Sequence, residues 1–283
     1  MIKVGFIDYY LNNWHANNYP EMLKNASDGE IQVAYCYGEV NCPYENMSSE
    51  EWSKKHNITL CATIEEVIEK SDVLCVLSPN NPEMHERLCK LPLASGKTTY
   101  VDKTFAPDLE TAQRIFKRAK EYKTPLMTSS ALRFAQEYQD IDASRVTSVV
   151  SFGGGEAAVY IIHQIEPLVM LFGTEFTRVI NTGSSENPII TVEYKDGKRN
   201  VMCCCNAGAP FHMVFNYNDK KQRNVPVTSP FFNDFIKNLV EYYKTGVPAV
   251  EEKQTLGVIA LRDACIQAIN EPDKWFNIKE IAV

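Results

Sequence analysis

Val73–Phe105, VLCVLSPNNPEMHERLCKLPLASGKTTYVDKTF, decides how the first half of the chain is read. Val73–Ser78 is a short apolar run, long enough for a buried strand and too short for a helix. Pro79, Asn80, Asn81 and Pro82 punctuate it, and Met84, Leu88 and Leu91 follow at helical spacing. Gly96 is a helix stop, and Thr98–Asp102 supplies the next strand. Ligands of parallel α/β sheets lie outside the carboxyl ends of strands, so Ser78–Asn81 and Asp102-Lys103 face one crevice. Lys103 is therefore a candidate proton donor or acceptor. The competing reading is the commoner fate of lysines, a solvated surface charge.

Outward from this stretch, short apolar runs alternate with amphipathic ones. Ile2–Ile7 and Ile31–Tyr37 read as strands, with a helical segment near Pro20–Asn25 between them. Ser48–His56 is a polar helix whose Ser48 and Glu51 have capping-box spacing, and Thr63–Lys70 repeats the pattern with Glu66. Leu109, Ala112, Ile115, Phe116, Ala119 and Tyr122 form one apolar face of a helix over Asp108–Tyr122. Pro125–Thr128 gives one more strand. Strands separated by helices of this length imply right-handed crossovers and a Rossmann-like, doubly wound parallel sheet over residues 1–130.

Residues 131–283 change character. Thr147–Phe152 is a strand, and Gly153-Gly154-Gly155 leads into an apolar helix over Glu156–Phe172. Ile189–Tyr194 and Asn200–Cys205 flank Lys195-Asp196-Gly197-Lys198, a hairpin signal because Asp-Gly tolerates positive φ. Phe211–Asn218 and Arg223–Val227 continue as antiparallel strands. Helices starting at Ser229-Pro230 and spanning Glu251–Asn270 close the chain. The expectation is an α+β domain on a mostly antiparallel, open-faced sheet, with a homo-oligomer formed through that sheet.

At 283 residues the chain has room for two domains. A net charge of −7 argues against nucleic acid and anionic membrane as partners. No apolar stretch is long enough to span a bilayer, and MIKVGFID enters a strand directly, so a cytoplasmic location is expected. The nine cysteines include no C-x-x-C pair. Cys203, Cys204 and Cys205 alternate faces if they lie in a strand, so no metal site is expected.

A dinucleotide loop normally shows G-x-G-x-x-G after the first strand, for a tight turn and close approach to a pyrophosphate. Here the chain reads GFIDYYLNNWHANNYP. Asn12, Asn13, Asn17 and Asn18 suit left-handed turns but clear no space. An ionised Asp8 facing phosphates would cost about 1 kcal/mol in water and about 4 kcal/mol near a protein surface. Glu39 is the only acid near the end of the second strand that could serve ribose hydroxyls. Trp14-His15 either closes over a ligand or caps the first helix. His163 lies on a helix apolar nearly all round, where a satisfied core imidazole is the commoner outcome. Tyr160 and Glu166 share its face.

With these pieces in place the chain resembles the Gfo/Idh/MocA family, named for glucose–fructose oxidoreductase, inositol dehydrogenase and MocA. Three segments carry the resemblance: LCVLSPNNPEMHERLCKLPLASGKTTYVDKTF, HQIEPLVMLFG and FFNDFIKNLVEYYKTGVPAVEEKQTLGVIALRDACIQA. It implies a Rossmann domain with an open-faced sheet domain, NAD or NADP, and hydride transfer on a sugar, polyol or related small molecule. The lysine of the family's Glu-Lys-Pro falls on Lys103 and its helix histidine on His163, as the proton-handling pair. Tyr160 stands near the family's aspartate position, which is Val159 here. The cofactor candidates are Ile7, Asp8 and Tyr9, then Glu39, Ser78, Pro79, Asn80, His85 and Asp102. Asp102-Lys103-Thr104 replaces Glu-Lys-Pro, Pro92 interrupts a helix and the glycine fingerprint is gone. Two readings follow: an NAD(P)-dependent oxidoreductase, or a non-redox descendant that binds a ligand or regulates.

Overall fold

Ile2–Asp8 is an apolar run with both neighbours in one sheet, so its Val4, Phe6 and Ile7 are wholly buried. The structure is a computed structural model that describes residues 1–205 and 208–281. Met1–Ser129 and Phe235–Glu251 form one unit. In chain order it carries β1 (Ile2–Asp8), α1 (Trp14–Ala26), β2 (Ile31–Gly38), α2 (Ser49–His56), β3 (Thr59–Leu60), α3 (Ile64–Lys70) and β4 (Val73–Val76). Two short pieces, α4 (His85–Leu88) and α5 (Lys90–Ala94), precede β5 (Thr99–Val101), α6 (Leu109–Glu121) and β6 (Leu126–Met127). The strands form a parallel sheet in the order β3-β2-β1-β4-β5-β6, the doubly wound arrangement expected. Its order reverses between β1 and β4, which places the topological switch point there.

Caps fix the helix starts. Ser48 and Glu51 make the reciprocal capping box, Thr63 caps α3, and Asp108 accepts from Thr111 N at 2.7 Å to start α6. α1 starts well before the expected segment and runs through Pro20, because Asn13 caps it by accepting from Ala16 N at 3.0 Å. The single helix expected from Met84 to Leu91 is instead a turn at Pro82–Met84 followed by α4 and α5. Pro92 in α5 has no N–H to continue the helical ladder. Phe235 packs against Tyr19 and Tyr100, and Tyr242 Oη donates to Thr99 O at 2.9 Å.

The other unit comprises Ser130–Asp234 and the described residues from Glu252. It carries α7 (Gln136–Gln139), β7 (Val146–Gly154), α8 (Ala157–Phe172), β8 (Phe176–Asn181), β9 (Ile189–Tyr194), β10 (Arg199–Cys205), β11 (His212–Tyr217) and β12 (Gln222–Pro226). After them come α9 (Phe231–Thr245), whose first residues lie here, α10 (Glu252–Asn270) and β13 (Trp275–Asn277). The sheet order is β12-β11-β7-β10-β9-β8-β13, antiparallel except where β7 meets β10. β8 and β13 were not foreseen. β13 is too short for a periodicity signal, and the Arg178 guanidinium over the Trp275 ring helps hold it at the edge.

Val149, Met202 and Cys204 point to one face and are buried, on the side where α8 packs on β7 and β10. On the opposite face Val214, Val150 and Val201 lie side by side, half-buried. Cys203 and Cys205 share that outer face, which confirms the alternation expected of the three cysteines. No helix is long and apolar enough to cross a membrane among the described residues.

Candidate functional site

In the first unit the site residues gather where β1, β4 and β5 end. Ser78 turns the chain out of β4 with φ of +86°, and Asn81 N closes the turn onto Ser78 O at 3.1 Å. Such a φ is uncommon for a residue with a Cβ and marks a backbone held by its surroundings. Lys103 stands just past β5, half-buried, and Lys103 Nζ donates to Pro79 O at 3.3 Å. Burial lowers the Lys103 pKa from its ordinary value, and the neighbouring Asp102 carboxylate acts against that fall. This makes Lys103 a better proton exchanger than a surface lysine.

Asp102 is fully buried and serves Lys103 from beneath. Its Oδ1 accepts from Lys103 N at 2.9 Å and from Tyr100 Oη at 3.2 Å, and its Oδ2 pairs with His15 Nδ1. Tyr19 Oη lies 3.0 Å from His15 Nδ1 and 3.5 Å from Asp102 Oδ1. Burial alone would raise the Asp102 pKa, but the His15 imidazole and the Lys103 charge more than offset it and hold the carboxyl below its usual value. Tyr19 and Tyr100 were not foreseen as members of the site, and His15, expected to close over a ligand or cap the first helix, pairs with Asp102 while Asn13 does the capping. Their spacing carried a signal: Tyr100 shares a strand face with Asp102, and Tyr19 stands one helical turn from His15.

His85 does not reach open space. It is wholly buried, with Nδ1 3.1 Å from Phe105 O and Nε2 2.6 Å from Leu77 O, and burial lowers its pKa. Its ring thus ties the β4 and β5 loops together. Glu39, the candidate for ribose, is ion-paired with Arg87. Ile7 is buried in β1 and its carbonyl accepts from Leu77 N at 2.8 Å; the Tyr9 carbonyl accepts from Val40 N at 2.9 Å.

Whether a dinucleotide fits this edge is decided by the loop after β1. The Tyr10 side chain is buried in the loop after β1, with Asn80 of the β4 loop near its hydroxyl. Leu11, also buried, lies against Gly38, where an added Cβ would stand only 3.1 Å from Leu11 Cγ. Asn13 occupies the start of α1 with its own side chain, capping Ala16 N while donating to Asp8 Oδ2 at 2.7 Å and Tyr10 O at 2.9 Å. A pyrophosphate needs bare backbone at this helix start. The hollow of about 440 Å³ at this edge lies over β2 and β3 and is lined by Glu39 and Glu50, poor company for phosphate. The residues present do not fit a dinucleotide in the family's cradle. The electrostatic objection to Asp8 weakens, because burial raises its pKa well above the ordinary value; the side chains of Tyr10, Leu11 and Asn13 are what stand in the loop.

In the second unit His163 projects half-buried from α8, with Nδ1 2.7 Å from Ser130 Oγ. Ser130 N donates to Glu166 Oε1 at 3.2 Å, and Glu166 Oε2 accepts from Arg133 Nε at 2.8 Å, the pair almost wholly buried. Glu166 is therefore a structural anchor that sets Ser130, and through it the His163 ring. Tyr160 is 46% exposed, its ring edge-on to His163 at 5.5 Å. It lies over Gly155, where φ is +94° and a Cβ would meet the Tyr160 ring at 2.5 Å. Ser130 and Arg133 were also unforeseen.

Comparison with known proteins bears on this arrangement. Residues 10–130 match the oxidoreductase family described as having an NAD-binding Rossmann fold, Gfo/Idh/MocA. Over that stretch the chain is similar to the Gfo/Idh/MocA family. No curated protein matches it in sequence. Among solved structures, a myo-inositol dehydrogenase from Lactobacillus casei, in complex with NAD(H) and myo-inositol, is similar at a TM-score of 0.83 and 14% identity, covering 100% of this chain and 98% of that one. A myo-inositol 2-dehydrogenase from Lactobacillus plantarum is similar at 0.77 and 13%, covering 98% and 99%. A putative NADPH-dependent oxidoreductase from Desulfitobacterium hafniense is similar at 0.75 and 17%, covering 98% and 97%. Identities this low speak for a shared fold and leave the chemistry to the site.

Proposed function

We propose that this Gfo/Idh/MocA-type chain is a non-redox descendant of the family's polyol and sugar dehydrogenases. It binds a small hydroxylated compound, with Lys103 as the residue that exchanges a proton with it, and no dinucleotide occupies the loop after β1. The observation that carries this reading is the loop after β1, where Tyr10 and Leu11 are buried and Asn13 fills the start of α1, beside a partly desolvated Lys103. His163, oriented by Ser130, supports it as the second family position retained. The half-buried row Val214–Val150–Val201 is the face through which a homo-oligomer would form, and sedimentation at micromolar protein checks it.

The deciding experiment titrates NADH and NADPH, following nucleotide fluorescence and melting temperature, alongside a panel of inositols and sugars. The expected outcome is no response to either nucleotide at millimolar concentration and a saturable shift with a hydroxylated ligand that Lys103→Ala abolishes while the fold survives. Saturable binding of either nucleotide would sink the proposal. It would restore the second reading, an NAD(P)-dependent oxidoreductase on a sugar or polyol, which Lys103 and His163 favour as the family's proton-handling positions.

A further inference from the structure

Beneath Lys103 lies a buried polar cluster larger than the support of a strand end requires. The groups that face Asp102 come from every packed element: Asp8 from β1, His15 and Tyr19 from α1, Cys75 from β4, His85 from α4, Tyr100 from β5 itself, and Lys103. Tyr243 of α9 stands behind Cys75. Burial drives Asp8, Cys75, Tyr19, Tyr100 and Tyr243 toward their neutral forms and His85 likewise. Asp102 is left as the buried anion of the cluster, and the His15 imidazole is the basic group in contact with it.

We infer that His15 is a positioning residue for Lys103: by donating Nδ1–H to Asp102 Oδ2 it keeps that carboxylate charged beneath the lysine and so sets how firmly Lys103 Nζ holds its proton. The geometry requires this tautomer, because an ionised carboxylate can only accept. The His15 ring is itself fixed, stacked on Tyr19 with centroids 4.9 Å apart and capped by the edge of Trp14. Without the His15 donor the buried carboxylate has only phenol and amide donors, takes up a proton more readily, and its field on Lys103 fades. The inference rests on the reading of Lys103 as the proton-exchanging residue.

Competitive acetylation of Lys103 across a pH series, followed by peptide mass spectrometry, reads its proton directly and needs no ligand or turnover. An unmoved midpoint thus leaves the ligand assignment standing, and a failed ligand assignment leaves this test standing. His15→Phe keeps the stacked ring and removes the donor. It is expected to lower the Lys103 midpoint by about one pH unit, the usual reach of a neighbouring charge. His15→Asn restores a donor near the Nδ1 position and should restore the midpoint. On an Asp102→Asn background, His15→Phe should change nothing further. An unchanged midpoint in His15→Phe, a failure of His15→Asn to restore it, or an additive shift on Asp102→Asn overturns the inference. If His15→Phe does not fold, the ring nitrogens of the wild-type protein decide by long-range ¹H–¹⁵N spectra: a proton on Nδ1 supports the inference, and a proton on Nε2 with bare Nδ1 overturns it.

Discussion

Replacing Asp8 with asparagine should flatten the pH dependence of stability in the first unit. Asp8 is wholly buried, accepts one bond from Asn13 Nδ2 at 2.7 Å, and among the described residues its Oδ1 has no hydrogen-bond partner. Burial is the main cause of its raised pKa, with the Asp102 charge adding to it and the Asn13 bond opposing. For a carboxyl raised on folding, the stabilising contribution is complete below the unfolded pKa, about 3.9. It is lost as pH climbs to the folded pKa. Across that window the wild-type protein should lose about 1.4 kcal/mol per pH unit relative to Asp8→Asn, which cannot titrate. Of the three tryptophans, Trp52 is buried in this unit, so a Trp14→Phe/Trp275→Phe background makes fluorescence report on it alone. Urea unfolding at half-unit steps from pH 4.5 to 8 gives the two stability curves. Parallel curves would refute the reasoning, since they require Asp8 to titrate alike in folded and unfolded chains.

Two further outcomes test the second unit. Glu166→Ala strands the Arg133 guanidinium in the interior and should cost about 3–5 kcal/mol, whereas Arg133→Met with Glu166→Leu should recover much of it; denaturant melts of the two variants and the wild-type protein decide. The Glu137 carboxyl, despite a burial effect that would raise it, is pulled down to about 2 by Ser229 and Thr228, whose hydroxyls and backbone N–H groups it accepts at 2.6–3.0 Å. Its contribution is present above the unfolded value of about 4.3 and is lost as pH falls toward 2. Glu137→Gln should therefore lower stability by about 1–2 kcal/mol at pH 7, allowing for solvent screening, and by progressively less in acid.

The parallel sheet was legible because its strands are continuous apolar runs separated by capped, periodic helices, and the place of Lys103 just past a strand end was legible from the same pattern. What escaped was of two kinds. β13 spans three residues, too few for any period to register. The His15–Asp102 pair joins positions 87 residues apart, so only the folded chain brings them into contact. Asp8 was read as a charge because its sequence neighbours do not reveal its full burial. Tyr10 carries no such signal, because an aromatic residue in a loop does not show in sequence whether it will be buried.

Tyr10 and Leu11 also alter what holds this unit together. A protein that binds a nucleotide in its folded state gains stability from it by mass action, about 2.7 kcal/mol at a hundredfold excess over Kd, and forfeits that when the pool runs down. Fully burying two large side chains is worth a similar or larger amount, about 1.5–3 kcal/mol each for an aliphatic one. Under the proposed function, the two buried side chains stand where a ligand's stabilising contribution would otherwise come from. On the proposed reading, the folding of this unit does not draw on the supply of pyridine nucleotide.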